Sequence, residues 1–195
     1  MSDPDPLVIA IAGPNGAGKT TLAPYLIRDE YGLVEYVNAD SIALGLAAFA
    51  PESVAFEAGR IMLRRIRSLA GQHTSFAFET TLASRSYARL VKTLRADGYE
   101  FHLIYLWLSN AELALQRVRE RVRRGGHDVA EDVIRRRYVR GVRNFFGAYM
   151  ALADTWGIYD NSSSGVPVQI AIKNREAVPT ILREDLWQRF RETAE

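Results

Sequence analysis

Close to the start of the chain, residues 11–22 read IAGPNGAGKTTL. Three glycines and an asparagine crowd in front of one lysine and two threonines, which suits neither a strand nor a helix. Gly13, four residues, then Gly18-Lys19-Thr20 is the spacing of a phosphate-binding loop. Each residue type there has a chemical reason. Glycines let successive backbone N–H groups turn inward, and those groups, with the positive end of a following helix, bind phosphate oxygens. The lysine neutralises the β- and γ-phosphates, and the threonine hydroxyl completes a Mg²⁺ shell. Gly13, Pro14, Asn15, Gly16, Ala17, Gly18, Lys19, Thr20 and Thr21 are therefore the expected contacts of a nucleoside triphosphate, taken as ATP, with Thr20 on Mg²⁺ and Asp40 or Glu79 supporting the ion through water.

Moving a γ-phosphate needs three further things: a base or orienter for the acceptor, support for the metal, and cations around the transferred group. Asp40, in VNADS, either takes a proton from an acceptor hydroxyl or caps a helix, with Asn38 or Ser41 sharing that job. Glu79, in FETTL, either holds the acceptor or a Mg²⁺-bound water, or caps the next helix. Thr80 and Thr81 offer hydroxyl hydrogen bonds to a substrate, Thr81 first. Between Ser109 and Arg143 stand ten arginines against five acids, in a chain whose formal net charge is only +2. Arg117, Arg121 and Arg124 fall at i, i+4 and i+7 and share a helix face. Arg135, Arg136, Arg137 and Arg140 follow a Gly125-Gly126 break. Two basic helices around a double glycine have the form of a lid closing on phosphates; the alternative for each arginine is a solvated face. His127, beside the glycines, either touches substrate or holds the lid together.

The elements that must position these residues are legible in outline. LVIAIAG is an apolar run without alternation, as in a strand buried on both faces. A helix over about 18–29 follows, and Pro24 predicts a bend or a broken second turn in it. VEYVNAD, SFAFE and FHLIYLWL read as three more strands, and IYDNS and VPVQIAIK supply one or two others. Helices alternate with them: PESVAFEAGRIMLRRIRSLAG stopped by Gly71, 84–97, a helix to about Arg124 opened by a Ser109–Glu112 capping box, a second basic helix over about 130–156, and a last one over 178–193. This order predicts an α/β P-loop NTPase or kinase-like three-layer fold. Its sheet is mostly parallel and five- or six-stranded, with helices on both faces and an arginine-rich helical lid over about 109–145. All 195 residues are expected to form one domain. Ligands on such sheets sit at the carboxyl ends of the strands, where Gly13, Asn38, Asp40 and Glu79 fall.

Composition removes several classes. There is no cysteine, hence no disulfide, thiolate metal site or cysteine nucleophile. The start, MSDPDP, lacks the basic and apolar segments of a signal peptide, and no apolar run reaches membrane-spanning length, so a cytoplasmic protein without membrane contact is expected. A transport ATPase would need a signature such as LSGGQ and a further strand ending in an acid; the fourth strand instead ends LWLS. No aromatic residue interleaves the arginines before Tyr138, which argues against a nucleic-acid track.

GPNGAGKTT, VNADS, FETTL, YEFHLIYLWL, QRVRERVRRGGHDV with RRRY after it, and DTWGIYDNS occur in this order and cover most of the chain. Together they resemble the zeta toxin family of P-loop kinases. The resemblance implies ATP- and Mg²⁺-dependent phosphorylation of a hydroxyl on a nucleotide sugar such as UDP-N-acetylglucosamine, and an antitoxin protein as partner. It makes Lys19 and Thr20 the nucleotide and metal residues, Asp40 the base, Glu79 and Thr81 the sugar-nucleotide contacts, and Arg117 or Arg121 the phosphate arginine. Arg60 is the nearest polar candidate for a substrate contact on the helix before the third strand. After E-x-T-L the family often carries a basic residue, whereas here Ala83 follows and Arg85 comes two later. The alternative is a P-loop protein acting on another acceptor, including nucleic-acid ends.

Overall fold

A computed structural model describes residues 5–195; Met1–Pro4, and with them most of the acidic start, lie outside the described residues. Seven strands form one sheet: β1 (Leu7–Ala12), β2 (Tyr36–Val37), β3 (Phe76–Thr80), β4 (Glu100–Trp107), β5 (Thr155–Asp160), β6 (Val168–Lys173) and β7 (Thr180–Ile181). Their order is β2-β3-β1-β4-β5-β6-β7. The first four pairings are parallel and the last two antiparallel. The sequence predicts five or six strands; the seventh, β7, has only two residues and lies where a helix start is expected. The final helix is correspondingly shorter, α7 (Glu184–Glu192).

β1 is central and wholly apolar because both of its faces are covered. Val8, Ala10 and Ala12 join one core, Ile9 and Ile11 the other. On the first face lie α3 (Ala55–Gly71), α4 (Ser86–Ala96) and α7; on the second lie α1 (Lys19–Ala23) and α5 (Ala111–Arg123). α2 (Ala39–Leu46) links β2 to α3 through a 3₁₀ turn over Pro51–Val54. α1 does not break at Pro24. The chain instead widens into a π-helical stretch, Pro24–Glu30, which accommodates the missing proline N–H without ending the helix. α3 ends at Gly71, as its pattern predicts, and the left-handed turn falls two residues later, at His73 with a φ of 50°.

α6 (Glu131–Asn144) crosses between the two layers. Ile134 and Tyr138 pack with the α1/α5 core, whereas Val142 belongs to the other. A π-helical turn, Phe145–Tyr149, continues it, and β5 begins at Thr155, so the second basic helix ends earlier than its pattern predicts. Asn110, not Ser109, caps α5 by accepting from Leu113 N at 2.8 Å. Glu112 is then free of the capping box and pairs with Arg135 of α6. Among the described residues no single helix is long and apolar enough to cross a membrane.

Asp154 ties β4 to the end of α4. It accepts from Phe101 N at 2.8 Å and from two nitrogens of Arg95, at 3.2 and 2.6 Å. Burial pushes its carboxyl up, but the Arg95 and Phe101 donors outweigh that and hold it below the ordinary aspartate value. A carboxyl depressed in the folded state stabilises above its unfolded pKa and loses that contribution as pH falls. Asp154→Asn is therefore expected to cost about 1–2 kcal/mol at pH 7. In urea titrations the gap to wild type should close as pH drops below about 4.

Candidate active site

Gly13 leaves β1 with a φ of 141°, and a Cβ there would lie 2.1 Å from the Leu106 carbonyl oxygen. Only glycine lets the loop turn this tightly against β4. Gly18 then opens α1 with no side-chain cap, so among the described residues the first amides of α1 are not capped by a side chain at that position. These are the features a triphosphate cradle requires, and Lys19 supplies the charge.

Lys19 is 6% exposed. Its Nζ donates to the Gly13 and Pro14 carbonyls, both at 2.9 Å, and stands 3.6 Å from Glu79 Oε1. Burial lowers its pKa and the nearby Arg121 charge acts in the same direction, while Glu79 and Asp40 oppose them. Glu79, at the end of β3, is the hub of the site. Its Oε2 accepts from Thr20 Oγ1 at 2.9 Å, Tyr36 OH at 2.6 Å and Asn38 Nδ2 at 2.8 Å. Burial and the adjacent Glu79 charge push the Tyr36 hydroxyl far up, so it stays a donor. Among the described residues no three acidic or histidine side chains form a metal cluster. Thr20 and Glu79 are the pair that fits a cation arriving with a nucleotide, Glu79 through water.

Asn38 also settles how α2 begins. Its Oδ1 accepts from Asp40 N at 2.8 Å and Ser41 N at 3.4 Å, so Asn38 is the cap. Among the described residues the Asp40 carboxylate has no hydrogen-bond partner. It is exposed and lines a cleft of about 180 Å³ with Asn15, Lys19, Glu79, Thr81 and Arg137. Met62 of α3 and Tyr87 of α4 supply the apolar wall, joined by a Tyr87 OH contact to the Met62 sulfur at 3.4 Å.

The arginines divide sharply. Arg137 of α6 donates to Asn15 Oδ1 at 3.5 Å. Burial lowers its pKa, Asp40 opposes the shift, and Arg136 adds to it. Arg121 lies on the other side of the loop, in a groove of about 550 Å³ with Thr21, Arg124 and Asn161. One of its nitrogens donates to the His127 carbonyl at 2.8 Å, and its buried Nε has no partner among the described residues. Arg117 is committed elsewhere: it grips the Asn161 and Ser162 carbonyls at 2.7 and 3.0 Å and reaches Gly16 O at 3.5 Å. It braces the β5 end against the loop, and it lines the same groove as Arg121. Arg119 and Arg135 make α5–α6 ion pairs with Glu131 and Glu112, and Arg136 pairs with Asp132. These three are surface charges, as the alternative reading has it.

Two other expected contacts are not brought into the cleft. Arg60 is exposed on α3, and Met62 occupies the wall instead. His127 sits in the α5–α6 turn, where its carbonyl holds Arg121. The sequence pattern places Arg137 only among four basic residues after the double glycine, and it does not mark Tyr36, Met62, Tyr87 or Asn161. Asn161, in the DNS segment after β5, donates to Ala17 O at 2.8 Å.

An AAA domain family profile matches residues 8–142. That span holds the loop, Glu79, Arg121, Arg137 and nearly all of α6. The chain belongs to the AAA domain family. An uncharacterized protein of Haemophilus influenzae is 33% identical over 130 residues, 67% of this chain and 91% of that protein. The AvrRxo1-ORF1:AvrRxo1-ORF2 complex with sulphate ions matches with a TM-score of 0.79 at 16% identity, over 99% of this chain and 66% of the matched one. This family member thus spans just under two thirds of that structure's chain. The PezAT chromosomal toxin–antitoxin system of Streptococcus pneumoniae matches with a TM-score of 0.61 at 20% identity, covering 82% of this chain and 70% of that one. The shared architecture is the kinase-like P-loop fold.

Proposed function

We propose that this protein is an ATP-dependent kinase that transfers the γ-phosphate to a hydroxyl of a small molecule. The observation that carries this reading is the unpartnered Asp40 carboxylate, in one cleft with Lys19 and Arg137 and across from the Thr20–Glu79 pair. Asp40 takes the acceptor proton as the hydroxyl oxygen attacks the γ-phosphorus, and the β–γ bridging oxygen leaves with ADP. Lys19 and Arg121 hold the triphosphate from the loop side. Arg137 meets the transferred group from the acceptor side. Mg²⁺, held by Thr20 and through water by Glu79, would supply charge neutralisation on the β- and γ-phosphates.

Nucleotide sugars are the acceptors to try first, because the motif set resembles the zeta toxins. The same resemblance, with the toxin–antitoxin system among the structural matches, supports an antitoxin partner. The test is γ-³²P transfer from Mg²⁺-ATP to a panel of nucleotide sugars, with 5′-hydroxyl oligonucleotides in parallel. A labelled UDP-sugar is the expected product. Label on the oligonucleotide alone would assign the protein to nucleic-acid ends, and label on neither with steady ATP hydrolysis would exclude both acceptor classes.

A further inference from the structure

Loop 81–85, between β3 and α4, carries Thr81 into the acceptor cleft and is fixed from outside by α6 and its continuation. Asn144, 8% exposed, donates from Nδ2 to the Leu82 carbonyl at 2.7 Å and accepts at Oδ1 from Arg85 Nε at 3.1 Å. One turn earlier, Gly141 lies so close that a Cβ would meet the Thr81 carbonyl oxygen at 2.6 Å. One turn later, Tyr149 OH donates to Ser84 O at 2.6 Å. Between these contacts the fully buried Leu82 holds a φ of 53°, a conformation costly for a leucine and kept only because its surroundings impose it. The same helix, two turns nearer its start, presents Arg137 to Asn15 of the phosphate loop.

We propose that α6 is a rigid strut between the nucleotide and acceptor sites, and that Asn144 is the positioning residue joining it to the acceptor loop. The proposal rests on the nucleotide reading of the phosphate loop. A triphosphate that draws Arg137 toward the loop acts at the middle of a helix whose last residue holds Leu82 and Arg85. Thr81 is then set for the acceptor only when nucleotide is in place. Such an arrangement is a coupling free energy between two sites, carried by one packed element. It also gives Arg85 a role that its place after E-x-T-L does not reveal: it braces Asn144 instead of facing the acceptor.

Hydrogen exchange on the full chain tests this, with Mg²⁺ and a non-hydrolysable ATP analogue as probe. In wild type the analogue should slow exchange over 80–85 by about fivefold or more. In Asn144→Ala that slowing should vanish while protection of the phosphate loop and analogue affinity persist. Arg85→Gln breaks only one of the two Asn144 bonds and should give a partial loss; it also serves if the alanine variant fails to fold. Val142→Ala, which loosens the same helix through its buried apolar face, should keep the coupling. Loss of coupling in Val142→Ala as great as in Asn144→Ala would reduce the contact to general packing and overturn the proposal. So would wild-type protection confined to the phosphate loop. If the analogue protects no segment, the nucleotide reading fails instead. The strut is then judged on the free protein, where faster exchange over 80–85 in Asn144→Ala and not in Val142→Ala supports it, and equal exchange overturns it.

Discussion

Lys19→Ala is expected to lower γ-phosphate transfer by on the order of 10²–10³ while leaving the protein folded. The side chain is almost wholly buried, and burial lowers its pKa. Its charge therefore acts in a poorly solvated site, where one cation on a developing phosphoryl charge counts for far more than in water. Its partners in this structure are two carbonyls of its own loop and Glu79. Removing it takes the ammonium away from Glu79 Oε1, but Thr20, Tyr36 and Asn38 still donate to Oε2 of that carboxylate. It also relieves the cost of burying an ammonium, which offsets the lost contacts. The melting temperature should thus stay within a few degrees of wild type, about 1 kcal/mol at this chain length. The stabilisation that Mg²⁺-ATP gives the wild type should largely disappear. Lys19→Arg should not restore transfer, because a planar fork of donors does not replace the compact ammonium that donates to the Gly13 and Pro14 carbonyls. Transfer within tenfold of wild type in Lys19→Ala would remove this residue from the chemistry.

The phosphate loop was legible because its requirements are local. Backbone that must turn against β4 admits only glycine at position 13, and the strand and helix on either side announce themselves by composition. Asn38, Asp40 and Glu79 were legible for a related reason: a parallel sheet gathers the ends of its strands, so polar residues closing apolar runs converge. The arginines were not legible one by one. Arg135, Arg136 and Arg137 are consecutive, and only the rotation of α6 decides that the third meets Asn15 while the first two meet Glu112 and Asp132. That rotation is fixed by Ile134, Tyr138 and Val142 packing into two different cores, a tertiary fact. Arg117 shares a helix face with Arg121, as its spacing predicts. A chain segment more than forty positions away, Asn161-Ser162, occupies its guanidinium first. β7 was not legible because Thr180-Ile181 falls inside the run that reads as the start of the last helix.

Asp40→Asn is expected to reduce kcat by about 10²–10⁴, the range set by loss of a positioned general base. The substitution is isosteric and isolates the charge. Asn38, not Asp40, caps α2, so the helix keeps its start and the cleft its shape. What changes is the acceptor for the hydroxyl proton, since a neutral amide cannot take it up. Nucleotide binding should move the other way. Asp40 lies close enough to Lys19 and Arg137 to oppose the lowering of both their pKa values. A carboxylate there also competes with phosphate for the same two cations. Removing it should leave the ATP dissociation constant unchanged or tighten it, by up to about tenfold. The measurement is therefore a pair: single-turnover transfer to the acceptor found in the panel, and nucleotide affinity by fluorescence or calorimetry on the same preparation. A fall in kcat with retained or tighter nucleotide binding assigns the base. A loss of both in proportion would make Asp40 a structural support of the loop, and a kcat near wild type would move the proton to water or to the substrate's own phosphate.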